Sequence, residues 1–194
     1  MKIGVSSYSF SRLVRSGAMK QIDVIAKAKD IGCDVIEFST IAVPEGKQLI
    51  EFAAELKSES ERVGLPIVNY TIGADFLNGS EGRLQAEIER VKREVDVAKI
   101  LGVKGMRHDA TRGFPSDHRG AKGFDDALPR LIQGCRAVTE YAASLGIRTM
   151  VENHGFFCQD SERVEKLVNG VNHPNFGALV GRPILKMSAV WNTG

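Results

Sequence analysis

Cysteines and long apolar runs are both scarce in this 194-residue chain. The three cysteines, Cys33, Cys135 and Cys158, are far apart and form neither a CxxC nor a CxH spacing. That pattern favours neither a disulfide framework nor a zinc knuckle, and it predicts a reducing cytoplasm as the location. Nowhere do about eighteen apolar residues follow one another, and the opening MKIGVSSYSF has only three consecutive apolar residues. The sequence therefore predicts neither export nor a membrane span.

An excess of either charge is also missing. Lysine and arginine total 26, aspartate and glutamate total 24, and the formal net charge is +2. A protein that binds the phosphate backbone of a nucleic acid is typically far more basic, so no nucleic-acid partner is predicted. With 43% hydrophobic and 26% charged residues, the composition is that of an ordinary globular protein. Its length suits a single domain with one sizeable core.

What the chain does contain is a repeated change from a helical to a strand-like pattern. Helical segments end at Gly32, Gly64, Gly102 and Gly146, and an apolar run begins two to four residues after each glycine. The glycines are 32, 38 and 44 residues apart, which is the length of one strand plus one crossover helix. The sequence thus predicts an α/β protein with six parallel strands, in the runs KIGVS, DVIEFS, PIVNY, KGMRH, RTMVE and FGALV.

Polar residues gather at the carboxyl ends of these runs, where parallel α/β proteins bind their ligands. The candidate site residues are Glu37, Asn69, Arg107, His108, Glu152 and His154. Other polar residues at the same ends are Ser6, Tyr8, Tyr70, Asp109 and Asn153. Each could instead cap a helix or pair with a neighbour. Glu152 in particular could form an ion pair with Arg107, because neighbouring strand ends lie about 5 Å apart.

The longest irregular stretch is ATRGFPSDHRGAKG, residues 110–123, and it contains Arg112, His118, Arg119 and Lys122. One interpretation is a lid that brings positive charge to a phosphorylated or acidic substrate. The other is a solvated surface loop, and both stay open. The stretch lacks the GxxxxGK[ST] spacing, so it is not a nucleotide-binding loop.

With its strand ends aligned, the chain resembles the sugar phosphate isomerase/epimerase family, the xylose-isomerase-like TIM barrels. The likeness is carried by MKIGVSSYSF at the first strand, IGCDVIEFS at the second, MVENHG at the fifth and VNHPNFGALV before the sixth. It covers roughly residues 1–180. The resemblance implies a partial (β/α)8 TIM barrel, with six parallel strands and outer helices.

The resemblance also implies a metal-dependent isomerase or epimerase whose partner is a small sugar or sugar phosphate. Relatives hold one divalent metal at the ends of strands 5 to 8, and Glu152 matches the first ligand. Glu152 would bind the metal and move a proton, with Mn or Mg favoured and Co or Zn possible. The other candidates, Glu37, Asn69, Arg107, His108 and His154, would bind the substrate. Both histidines could equally be structural.

The likeness stops at Gly181, which stands where the family pattern places an aspartate ligand. The last two ligands would fall beyond residue 194, and residues 181–194 are expected to be a non-family tail, as a frameshift or a misassigned gene end would leave. A truncated barrel should be inactive towards sugars, should bind metal weakly, and could form homo-oligomers through its open strand edge. The alternatives are a non-catalytic barrel remnant, a dehydratase, or an apurinic endonuclease of the same superfamily.

Overall fold

Six parallel strands form one sheet in the part of the chain that the structure, a computed structural model, describes: residues 2–115, 122–154 and 157–180. The strands are β1 (Gly4–Ser6), β2 (Val35–Ser39), β3 (Ile67–Ile72), β4 (Gly105–His108), β5 (Arg148–Glu152) and β6 (Phe176–Leu179). The helices are α1 (Ser11–Arg15), α2 (Asp23–Asp30), α3 (Leu49–Val63), α4 (Leu84–Leu101), α5 (Phe124–Ser144) and α6 (Ser161–Val171). Short 3-10 turns occupy Ser7–Phe10 and Ser80–Gly82.

The spatial order of the strands is the order of the chain, β1-β2-β3-β4-β5-β6, and every neighbouring pair is parallel. A doubly wound sheet would instead reverse direction at a switch point. Sequential parallel strands joined by helices are the arrangement of a (β/α)8 barrel. The prediction of a partial TIM barrel with six strands is confirmed.

Two of the glycines predicted to end helices show directly why glycine is needed. Gly64 ends α3 with a φ of 68°, and Gly102 ends α4 with a φ of 75°. This left-handed conformation has no steric cost without a Cβ atom, and it lets each cap N–H bond back to the last helical carbonyls. Each turn leads directly into the next strand of the sheet.

One face of the sheet, here called the helix face, packs against the helices. Tyr70, Met106 and Thr149 lie side by side on it in the parallel register. The Tyr70 hydroxyl donates to Glu94 of α4 at 2.6 Å, and the Thr149 hydroxyl lies 2.7 Å from the Thr139 hydroxyl of α5. Burial and the nearby Glu94 carboxylate raise the pKa of Tyr70, so its hydroxyl remains a donor. These contacts join the hydrophobic core to the helix layer.

The opposite face, here called the inner face, carries polar side chains. Thr71, Arg107 and Met150 lie in register on it, because side chains alternate between the faces of a strand. Further along the inner face, Asn69 donates to a Glu37 carboxylate oxygen at 2.8 Å. The sheet therefore presents its apolar side to the helices and a row of polar groups on its other side.

None of the helices in the described ranges has the length and hydrophobicity that crossing a membrane requires. The three cysteines are buried free thiols. The tail predicted at residues 181–194 lies outside the described residues, so the domain boundary after residue 180 stays a prediction.

Candidate functional site

Arg107 is the centre of a charged cluster at the carboxyl end of β4. Its Nη2 atom lies 2.8 Å from Oε2 of Glu152, 3.0 Å from Oδ1 of Asp109 and 2.7 Å from Nδ1 of His154. The Arg107 side chain is only 7% exposed. A buried cation is strongly unfavourable unless it is paired and hydrogen-bonded, so the two carboxylates compensate its charge.

The pleat of two adjacent strands explains how these residues meet. Arg107 in β4 pairs with Met150 in β5. Asp109 comes two residues after Arg107, and Glu152 comes two residues after Met150, so all of these side chains share the inner face. The contact between Arg107 and Glu152 thus follows from the register between β4 and β5, whereas Asp109 and His154 lie one and two residues beyond the ends of these strands.

His154 brings an imidazole ring to the cluster. A guanidinium can only donate hydrogen bonds, so Nδ1 of His154 is the acceptor in its contact with Arg107 and the ring proton is on Nε2. Oδ1 of Asp109 lies 3.3 Å from the same Nδ1 atom, but both atoms are acceptors in this tautomer, so they form no hydrogen bond with each other. The His154 side chain is 55% exposed, and its Nε2–H group is a donor that no group in the described part of the chain accepts.

A cavity of about 480 Å³ opens beside this cluster at the carboxyl edge of the sheet. It is lined by Ser39, Thr40, Thr71, Ile72, Gly73, Arg107, Asp109, Thr111, Arg112 and His154. Hydroxyl, carboxylate, guanidinium and imidazole groups together can both donate and accept hydrogen bonds. Such a lining suits a small ligand that is rich in hydroxyl groups.

Glu37 and Asn69 lie on the inner face, two residues before Ser39 and Thr71, which line the cavity. The Asn69 amide donates to Glu37 and to the Thr71 hydroxyl. Its Oδ1 atom is buried and has no hydrogen-bond partner in the structure. The pair therefore supports the cavity from β2 and β3, and the Oδ1 acceptor of Asn69 stays without a partner.

His108, one of the candidate substrate-binding residues, lies away from this site. Strand alternation places its side chain on the helix face, where it is fully buried between Phe76 and Phe176, with ring centroids 5.8 and 6.2 Å away. Its Nδ1 lies 2.9 Å from the backbone oxygen of Asp109. Burial lowers the pKa of His108, which keeps the ring neutral.

Sequence reasoning placed Asp109 at a strand end without selecting it, and it overlooked the hydroxyls of Ser39, Thr71 and Thr111. The two-residue period was the available signal, because a side chain two positions after an inner-face residue returns to the same face. Within residues 110–123, Arg112 lines the cavity, whereas residues 116–121, including His118 and Arg119, lie outside the described residues.

Comparison with known proteins agrees with this fold. Residues 25–180 match the model of the xylose isomerase-like TIM barrel family. The chain belongs to that family. Comparison with curated protein sequences gives no match.

Among solved structures of this fold, D-psicose 3-epimerase in the presence of D-fructose aligns with a TM-score of 0.72 and 18% identity, covering 93% of this chain and 63% of that one. L-ribulose 3-epimerase aligns with a TM-score of 0.67 and 17% identity over 92% of this chain and 60% of that one. 3-Keto-D-glucoside 4-epimerase from E. coli aligns with a TM-score of 0.65 and 18% identity over 82% of this chain and 62% of that one. At such identities the likeness shows the fold, and the chain spans less than two thirds of each of these proteins.

The described residues do not fit the divalent metal that the family resemblance implies. Within residues 2–115, 122–154 and 157–180, no three His, Cys, Asp or Glu side chains are grouped so that they could hold a metal ion. Glu152, the predicted ligand, is engaged by the Arg107 guanidinium, and a fixed cation at 2.8 Å opposes the approach of a second one. Gly181, at the expected position of the second ligand, lies outside the described residues.

Proposed function

We propose that this chain takes part in the isomerisation or epimerisation of a small sugar or sugar phosphate bound in the cavity beside Arg107. The observation that carries the proposal is the cluster of Arg107, Glu152, Asp109 and His154 next to a hydroxyl-lined cavity. The family supports the same reaction class, because several of its structural neighbours are named as sugar epimerases.

Both reactions move a proton on a carbon next to a carbonyl group, so they need a base and a hydrogen-bond donor. Glu152 is the proposed base. The proton that it takes is replaced when the enediolate is protonated again, either by Glu152 at the neighbouring carbon or by water at the opposite face. Arg107 fixes one oxygen of Glu152 through Nη2, which leaves the other oxygen to take the proton. The Nε2–H group of His154 is the proposed donor to the carbonyl oxygen, where negative charge develops.

Hydroxyl groups around the cavity would bind the hydroxyls of the sugar. Thr71 and Thr111 line the cavity directly. Glu37 and Asn69 belong to the proposal as substrate-binding residues of the adjoining inner face, each two residues before a residue that lines the cavity. A divalent ion, whether Mn, Mg, Co or Zn, stays a prediction from the resemblance, and no step of this proposal depends on it.

The contact between Glu152 and Arg107 also favours a second candidate, a sugar-binding barrel without catalysis. With one oxygen held at 2.8 Å by a guanidinium and the neighbouring Asp109 held at 3.0 Å, both carboxylates are already engaged. A structural ion pair of this kind can shape a binding cavity without transferring protons. Binding without turnover is the outcome that identifies this candidate.

The test is to incubate the purified chain with ketoses and ketose phosphates in D₂O, with and without Mn. Transfer of a proton next to the carbonyl would introduce deuterium into the sugar, which NMR detects. We expect Glu152→Gln to reduce this exchange about 100-fold or more, the range of general acid–base catalysis.

The matched control is Glu140→Gln on α5, which removes an exposed carboxylate paired with Arg136 and should leave exchange unchanged. Calorimetry of the same sugars measures binding separately. Binding without deuterium incorporation under all conditions would assign the non-catalytic function, and absence of binding to every sugar would reject the proposal.

A further inference from the structure

Arg112 lies between two cavities at the carboxyl edge of the sheet. It lines the cavity beside Arg107 and also a second cavity of about 550 Å³. The second cavity is bounded by the loop that follows β3, residues 73–80, and by Glu87 and Arg90 of α4. Gly73 and Arg112 are common to both linings, so a ligand in the first cavity can extend past Arg112 towards the second.

The surroundings of Arg112 differ from those of Arg107 and Arg90, the other two arginines that line these cavities. Arg107 is paired with Glu152 and Asp109. Arg90 lies 2.7 Å from Glu87, whose side chain is 3% exposed. Arg112 is exposed, and no carboxylate in the described ranges pairs with it. Its guanidinium is therefore available to an incoming anion.

The backbone on both sides of Arg112 is held by hydrogen bonds to the loop after β3. The Thr111 hydroxyl donates to Oδ1 of Asp75 at 2.7 Å and accepts from the Gly113 N–H at 3.0 Å. The Asn78 amide donates to the Gly113 carbonyl at 2.8 Å. A cation carried on a fixed backbone loses less conformational freedom when it binds a ligand.

Glu87 holds the supporting loop in turn. Its carboxylate accepts from the Asp75 N–H, from the Ser80 hydroxyl and from Arg90. Burial acts to raise the pKa of Glu87, but the hydrogen bonds from Arg90, Asp75 and Ser80 outweigh it and the pKa is lowered. A Cβ atom at Gly79 would lie 2.5 Å from Cδ of Glu87, so the loop approaches this carboxylate too closely for a side chain.

We infer that Arg112 is a specificity-determining residue that binds an oxyanion group, phosphate or carboxylate, at the far end of the sugar. The inference rests on the proposed function and adds a preference for anionic over neutral substrates. A guanidinium can donate two parallel hydrogen bonds to such a group, which neutral hydroxyls match poorly.

Calorimetric titrations with D-fructose, D-fructose 6-phosphate, D-fructuronate and inorganic phosphate test this assignment. In the unchanged chain, the phosphorylated or carboxylated sugar should bind more tightly than D-fructose, and the two anionic sugars distinguish a phosphate from a carboxylate group. Arg112→Gln should weaken binding of the preferred anionic sugar roughly 10- to 100-fold, the range of a charge-assisted hydrogen bond. Arg112→Lys should retain part of the preference, because it keeps the charge without the planar fork.

The control is Arg62→Gln, which removes the same charge from an exposed pair with Glu59 on α3 and should change no affinity. D-fructose binding should fall much less than binding of the anionic sugar in Arg112→Gln, because a neutral hydroxyl gains less from a guanidinium than an oxyanion does, and an equal loss for both sugars would contradict the assignment. Equal binding of neutral and anionic sugars to the unchanged chain would overturn this inference while leaving the proposed function standing. Absence of binding to every sugar would overturn both.

Discussion

On the helix face of the sheet, Met106 and His108 are completely buried against apolar side chains, whereas on the inner face Arg107 is buried against charges. These three residues are consecutive in β4. The difference shows that burial of a side chain has two distinct effects in this protein. On the helix face it removes apolar surface from water, and on the inner face it concentrates charge around a cavity. Substitutions should therefore reduce stability on one face and alter binding on the other.

The largest effect should come from a matched pair of methionines on opposite faces. Met106 is fully buried on the helix face, while Met150 on the inner face is half-buried. We expect Met106→Ala to lower the free energy of unfolding by about 3–5 kcal/mol, because truncation leaves a cavity in a closely packed core. Met150→Ala should cost less than half of that. Urea unfolding of both variants measures the difference, and equal losses would contradict the distinction between the faces.

A smaller effect is expected when the inner-face charge is removed. Arg107→Met keeps most of the side-chain volume but leaves Glu152 and Asp109 facing each other without their cation. The loss should be about 2–3 kcal/mol, below the range for a fully buried pair, because the partner side chains are 27% and 22% exposed. Arg62→Met, which breaks a surface pair with Glu59, should cost at most about 1 kcal/mol.

Chemical denaturation at low and high salt measures both arginine variants. If Arg107→Met cost no more stability than Arg62→Met, the cluster would not be the organised charge site described here. Added salt should change the stability of the Arg107 pair less than that of the exposed pair, because buried charges are screened less.

The smallest effect is a pH dependence that belongs to the helix face. Burial lowers the pKa of His108, whereas an unfolded histidine has a pKa of about 6.5. Below that value the unfolded state binds a proton that the folded state does not, so stability should fall as the pH falls. We expect His108→Phe to reduce the stability loss between about pH 7.5 and 5.5 by about 1 kcal/mol. Unfolding curves at the two pH values provide the measurement. If His108→Phe loses as much stability between them as the unchanged chain does, His108 is not the source of the pH dependence.

The site was only partly predictable from sequence, for a reason that Arg107 and His108 illustrate. Both residues end the same predicted strand, and position alone indicates a ligand-binding edge for each. Which of two neighbours faces the cavity depends on the pleat, and the two-residue period gives the alternation but not its phase. The alternative ion pair between Glu152 and Arg107 could be anticipated, because adjacent strand ends are close in any parallel sheet.

By itself, the sequence determined the number and the parallel direction of the strands, because glycine-ended helices alternate with short apolar runs, and the family resemblance implied their order in a barrel. It also determined that polar side chains gather at one edge, since parallel strands all end there. Only the tertiary structure decided that Asp109 joins Glu152 on Arg107, that His108 belongs to the core, and that Arg112 stands between two cavities. These facts depend on the register between strands and on loop contacts between residues more than thirty positions apart, which no local pattern encodes.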